Sequence, residues 1–214
     1  MKALTSGKIT SDYIGKTVYL SNSVITCQEW IIADVNHDST SGTVDLISKT
    51  TLTNDKTQFN INGLIYKSST LDTYLESTVY NGFSASIKNA LNNMSVPSYT
   101  GSSYDYDDST KVVTSIIERH VIAPSLIEVG DVVVIANNNA LIEGNIYPIF
   151  GSAVINNSKS VFNDPNGTAR TYWTRTAVIN TYSDIWCKNT YGTQFGSDSD
   201  NNWYVVARIR FAKS

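Results

Sequence analysis

The sequence predicts an α+β fold: short β-strands at both ends, two capped helical stretches in the middle, and long polar loops between the later strands. Three observations carry this. Segments 14–20, 27–34 and 43–48 are rich in β-branched and aromatic residues and are separated by polar turns. Ser69 and Ser84 each precede an apolar stripe at helical spacing. The close of the chain, Val205-Val206-Ala207-Arg208-Ile209-Arg210-Phe211, reads as a strand with two distinct faces.

Taken in order, residues 1–13 are polar and are expected to form an N-terminal docking arm, leaving 14–214 as one domain. Ile14–Leu20, Cys27–Asp34 and Thr43–Ser48 are expected to form a meander. Ser69 caps a helix carrying Leu71, Tyr74 and Leu75, with Asp72 three residues after the serine in the manner of a capping box. Asn81-Gly82 breaks that helix. Ser84 opens a second one carrying Ile87, Leu91 and Met94, which Pro97 is expected to end. Residues 98–109 read as an exposed excursion, and 111–117 return to β. Ser125, Glu128 and Gly130 mark a short helix with its cap, back-reaching carboxylate and stop. The stretch 131–135 is apolar enough for a buried strand, and Asp164-Pro165-Asn166-Gly167 is a turn.

Residues two apart share a strand face. Val205, Ala207, Ile209 and Phe211 therefore line one side of the last strand, and Val206, Arg208 and Arg210 the other. In Tyr172-Trp173-Thr174-Arg175-Thr176 the same rule puts Trp173 beside Arg175. A guanidinium there is costly unless it is paired or stacked on the ring. Trp30, Trp173, Arg175, Trp203 and Arg208 are accordingly read as structural.

Charged residues make up 16% of the chain and the net charge is −3, a balance that argues against a nucleic-acid or membrane-surface role. Polarity comes from Ser, Thr, Asn and 13 Tyr, a composition suited to contact surfaces and equally to any sturdy β-protein. No apolar run reaches membrane length, and the N-terminus lacks the apolar core of a signal peptide. The expectation is a chain made in a cytoplasm that reaches the exterior by lysis or within a larger particle. Cys27 and Cys187 fit no metal or redox spacing; two buried thiols are favoured over a disulfide.

Several blocks occur in the order found in one family. Ile14-Gly15-Lys16-Thr17-Val18 with Glu29-Trp30 resembles its "IGdtV…yeW" opening, and Leu46-Ile47-Ser48-Lys49 its "LLSK". Tyr66 to Leu75 resembles "Y..S.lr.wLn", Asn81-Gly82-Phe83-Ser84 the "y..F" that follows, and Ile122 to Val129 "lpSl.El". Tyr172-Trp173-Thr174-Arg175-Thr176 resembles "YWlRSp", with Ala177 where the proline is usual, and Val206 to Phe211 resembles the "VRPaf.l" close without its proline. The family is an uncharacterised domain common in phages and gut bacteria. It is similar to the C-type-lectin-like fold of formylglycine-generating enzymes and phage tropism determinants. The resemblance implies a mixed or antiparallel twisted sheet, two flanking helices and a loop-rich face between the "YW" strand and the last strand.

An oxidase of the formylglycine type needs paired reactive cysteines. Here Cys187 is the one thiol expected to be accessible, since Cys27 sits in an apolar strand. His37 and His120 lie in no catalytic motif, and satisfied or solvent-facing rings are expected. Asp34 to Asp38 with Asp45 imitates calcium-loop spacing, yet Ser39 replaces the turn glycine, so a solvated hairpin is favoured; Asp198 to Asn202 is a weaker calcium candidate. No cofactor or metal is assigned. The remaining candidate is a ligand-binding face of Tyr182, Asp184, Trp186, Tyr191, Asp198 and Asp200, with Trp203 leaning to the core and Tyr191 to the surface. The expected function is a non-catalytic virion surface protein (head fibre, capsid decoration or tail tip) that binds a host-surface glycan or protein. It would be held to other virion proteins by its N-terminal arm, as a homo-oligomer. The alternatives are a structural subunit whose loops pack on its neighbours and, less favoured, an enzyme.

Overall fold

The computed structural model describes residues 4, 7–61, 63–99, 114–131, 143–151, 158–178, 181 and 183–213. Most of 98–109, the start of 111–117, the 132–135 part of the expected buried strand, and Tyr182 lie outside these residues.

The opening meander forms as expected: β1 (Thr17–Tyr19), β2 (Glu29–Val35) and β3 (Thr43–Ser48) pair antiparallel. The last strand, β14 (Arg208–Ala212), closes against β3, and the short β7 (Val121–Ile122) pairs with its other edge. The five-stranded sheet runs β1-β2-β3-β14-β7. The last strand of the chain thus lies inside the sheet, between β3 and β7.

Both faces of this sheet are covered, so every residue of β3 is buried. On one face Trp30, Ile32, Val44, Leu46, Ile209 and Phe211 enter the main apolar core with Val205 and Ala207. Helix α1, continuous through Thr70–Thr73, Tyr74–Val79 and Tyr80–Gly82, packs Leu71, Leu75 and Val79 into the same core. On the other face lie Ala33, Ile47, Tyr147 and Val206, and with them the charged side chains of Asp45, Arg208 and Arg210. The alternation read from the final strand holds at each of these positions.

The capping signals are realised. Ser69 Oγ accepts from Asp72 N at 3.0 Å, and Asp72 Oδ2 accepts from Ser68 N at 2.7 Å. α1 stops at Gly82, where Asn22 packs so closely that a Cβ would lie 2.2 Å from its Oδ1. The second helix is shorter than its stripe suggests. α2 (Ala85–Lys88) covers one turn; Leu91 then bridges to Phe211, and Met94 opens β5 (Met94–Tyr99). Pro97 lies inside β5, which pairs with β6 (Thr114–Arg119), so it ends no helix, and Ser98 and Tyr99 belong to a strand rather than an excursion.

Leu4 and Ile9 are buried in the main core, 3% and 6% exposed.

The region read as long loops also contains more strand than expected. β10 (Tyr172–Ala177), β11 (Asp184–Lys188) and β12 (Gln194–Asp198) form a three-stranded antiparallel sheet. Two short ribbons accompany it: β8 (Phe162–Asn163) with β9 (Ala169–Arg170) around the Asp164–Gly167 turn, and β4 (Thr57–Gln58) with β13 (Asn202–Trp203). The described structure is thus mainly β with few helices, consistent with an α+β class.

Candidate functional site

A dense group of charged side chains lies in the interior. Arg175 donates from Nη1 to Glu128 Oε2 and from Nη2 to Glu128 Oε1, both at 2.7 Å, and also to the carbonyls of Ala123 and Glu143. Arg208 Nη1 reaches Glu128 Oε1 at 3.1 Å and the Tyr147 hydroxyl at 2.5 Å. Arg210 forks onto Asp45 at 2.5 and 2.8 Å, and Tyr147 donates to Asp45 Oδ2. A shift in strand register between Trp173 and Ala177 lifts Arg175 out of the regular β10–β11 ladder toward this cluster. Trp173 turns its Nε1 to Thr57 O at 2.7 Å and meets Phe59 edge-on. The arginine is paired with a carboxylate instead of stacking on the indole.

Burial pushes the Glu128 carboxyl upward, but Arg175 and Arg208 overcome this and hold it at about 2. Glu143, equally buried, is pushed by that burial to about 7 against the pull of Arg175 and the Thr176 hydroxyl. Two carboxylates with divergent pKa values invite a catalytic reading. Glu128, Glu143, Asp45, Arg175 and Arg208 all have side chains closed to solvent, and they bond to one another, to Arg210, Tyr147 and Thr176, and to backbone. The cluster is a charged brace between the two halves of the chain.

Other reactive groups are also accounted for. Cys187 is fully buried on β11, and burial holds its thiol well above the ordinary range, so the expectation of an accessible thiol is corrected. Cys27 is buried and free as well. His37 is buried, its Nδ1 2.8 Å from Asp34 Oδ2, and is stacked on Tyr147. His120 Nδ1 meets Glu76 Oε1 at 2.8 Å, and its ring stacks on Tyr80. Asp45 of the imitated calcium loop is turned inward to Arg210. Among the described residues no three His, Cys, Asp or Glu side chains are grouped to hold a metal ion.

The expected ligand-binding residues do not converge. Asp184 and Asp198 face each other across β11–β12, with the Ser183 hydroxyl donating to Asp198. Burial first, and then Asp198, raise the Asp184 carboxyl. Trp186 is half-buried, packed on Leu126, and Asp200 is exposed with its carbonyl bound by Gln58. Tyr191 stands at the far tip of the hairpin, 79% exposed. At a strand rise of about 3.3 Å per residue it lies more than about 13 Å from the aspartate pair. Trp30, Trp173, Arg175 and Arg208 are fully buried, whereas Trp203 is half-buried.

What does converge is a cleft next to that tip, lined by Lys56, Ala169, Arg170, Thr171, Thr190, Trp203 and Tyr204, about 130 Å³ in volume. Lys56 Nζ lies 5.6 Å from the Trp203 ring centre and 5.9 Å from that of Tyr204. The Arg170 guanidinium lies 4.9 Å from the Tyr204 ring centre while pairing with Asp164 at 2.7 Å. Trp203 is fixed by its Nε1 donating to Ser197 Oγ at 2.8 Å and by an edge contact with Phe195. Sequence reading found Trp203 and Tyr191 but not Lys56, Arg170, Thr190 or Tyr204. These come from four separate stretches with no shared motif.

A β framework thus presents an aromatic, cationic cleft at a hairpin tip. Residues 41–210 match the model of a family described as a domain of unknown function, DUF6273, and the chain belongs to that family. No curated protein and no solved structure matches it.

Proposed function

We propose that this chain is a non-catalytic contact module of C-type-lectin-like architecture, displayed on a phage particle and binding a glycan or protein of the host surface. The observation that carries the binding half is the cleft beside Thr190, lined by ring faces, hydroxyls and a cation near the β11–β12 turn. The display half rests on the ordered sequence blocks from Ile14 to Phe211 and on a composition poor in charge and rich in Tyr, Ser, Thr and Asn. Leu4 and Ile9 anchor the N-terminal segment, so attachment to the particle would use the domain surface around it in place of a loose arm.

Mass spectrometry of purified virions tests the placement: the chain should be present, and its absence would end the reading. A second reading, a subunit that packs on neighbouring copies, is favoured by the exposed side chains of Tyr19, Ile61 and Ile116. Sedimentation of the purified chain separates the two. A stable oligomer that loses its contacts on Ile61→Ser with Ile116→Ser supports the packing role, and a monomer that binds host cells supports the contact role.

A further inference from the structure

The cleft at the hairpin tip has a chemistry that narrows its ligand. Among its seven lining residues two carry positive charge and none carries a carboxylate. Arg170 is neutralised by Asp164, whose other oxygen binds the Asn166 and Thr168 amides of the turn. Lys56 is exposed and has no ion-pair partner among the described residues; its ammonium rests over the rings of Trp203 and Tyr204. In a chain of net charge −3 this is a local site for an anion. The lining includes the rings of Trp203 and Tyr204 and the hydroxyl-bearing side chains of Thr171 and Thr190. Aromatic faces receive the C–H surface of a sugar ring, and hydroxyls and backbone groups receive its polar rim. A volume of about 130 Å³ is well below the few hundred Å³ of drug-sized sites and suits one ring.

We propose that this cleft takes a single ring of an acidic saccharide, a uronate-type sugar whose carboxylate pairs with Lys56 and whose apolar face lies on Trp203. Such a ligand presupposes the contact role proposed above. On binding, the Lys56 ammonium exchanges its place over the rings for the carboxylate, and the sugar takes up the vacated ring face. Tyr191, one residue beyond Thr190, offers a further stacking plane to the next sugar of a chain.

The test is calorimetric titration of the full chain with methyl glucuronide and, separately, with methyl glucoside, which has the same ring without the charge. The glucuronide is expected to bind about ten-fold more tightly, the effect of one charge-assisted hydrogen bond. Lys56→Gln should erase that preference, Lys56→Arg should keep it, and added salt should narrow it. Lys56 is exposed, so neither variant threatens folding. Equal affinity for the two sugars, an unchanged preference in Lys56→Gln, or no binding of either sugar overturns the assignment. The contact role itself fails separately, if the chain is missing from purified virions and does not bind host cells.

Discussion

Arg175 and Glu128 are each useless to the fold without the other. Their two parallel hydrogen bonds are made where neither side chain reaches water, so removing one partner strands a buried charge. Arg175→Ala or Glu128→Gln is expected to cost about 3–5 kcal/mol in urea unfolding, Glu128→Gln the more because Arg208 shares the same carboxylate. Gly144 belongs to the same brace: a Cβ there would lie 2.6 Å from Glu128 Oε1, at a φ of +98° that side chains resist. The two buried glutamates predict opposite pH trends. Glu128 is held below the ordinary carboxylate value, so its contribution is complete above about pH 4.5 and disappears as pH falls toward 2. Glu143 is held above it: the folded chain keeps a proton that the unfolded chain releases. Its burden therefore grows as pH rises from about 4.5 to 7 and is constant beyond. Glu143→Gln should flatten that second trend, on the order of 3 kcal/mol between pH 4.5 and 8 by chemical denaturation.

At the scale of elements, α1 is specified at both ends by side chains. Ser69 caps its start, and Asp72, besides closing the box, holds Arg119 of β6 with two bonds of 2.7 and 2.8 Å. Ser69→Ala is expected to cost about 1 kcal/mol, and Asp72→Ala more, because it releases β6 from the helix as well. At the other end Gly82→Ala would drive a methyl into Asn22 and Val24. Asn22 cannot easily retreat, being bonded to Val79 O and Val24 N. A destabilisation of about 1–3 kcal/mol by thermal melting is the expectation. Glu76, in the middle of α1, accepts from the backbone of His120 and Val121 and so fastens β7 and the sheet edge to the helix.

Across the whole molecule, the five-stranded sheet is buried on both sides, and its two faces differ in kind. One is an apolar core against α1. The other mixes apolar residues with the charged brace, through which Asp45 of β3, Glu128, Tyr147 and Arg175 of β10 are joined to the terminal β14. Truncating the chain before Arg208 should therefore abolish cooperative unfolding instead of merely lowering the melting temperature, because it removes a central strand and both arginines that link the halves. The β11–β12 tip and its cleft lie outside this sheet, on the three-stranded one. Tyr191→Ala should leave the melting temperature unchanged, since its ring is exposed, and weaken attachment to host cells if that tip faces the host.

The residues of this chain determined their local states wherever the signal is local. The strands of the meander, the face alternation of the last strand, the cap at Ser69, the stop at Gly82 and the Asp164–Gly167 turn follow from periodicity and from side chains bonding to nearby backbone. Even Ser125 and Glu128 exchange the bonds expected of a capping box, although only a turn forms there, because Glu128 is also claimed by Arg175 and Arg208. Only the tertiary structure decided which distant groups would meet. It gave the arginines at 175 and 208 one shared carboxylate, buried Cys187 on a strand, paired Asp184–Lys188 with Gln194–Asp198, and assembled Lys56, Arg170, Thr190 and Trp203 into a cleft. The physical reason is that pairing partners for charge and for strand edges are chosen by spatial proximity, which the pattern of nearby residues does not record.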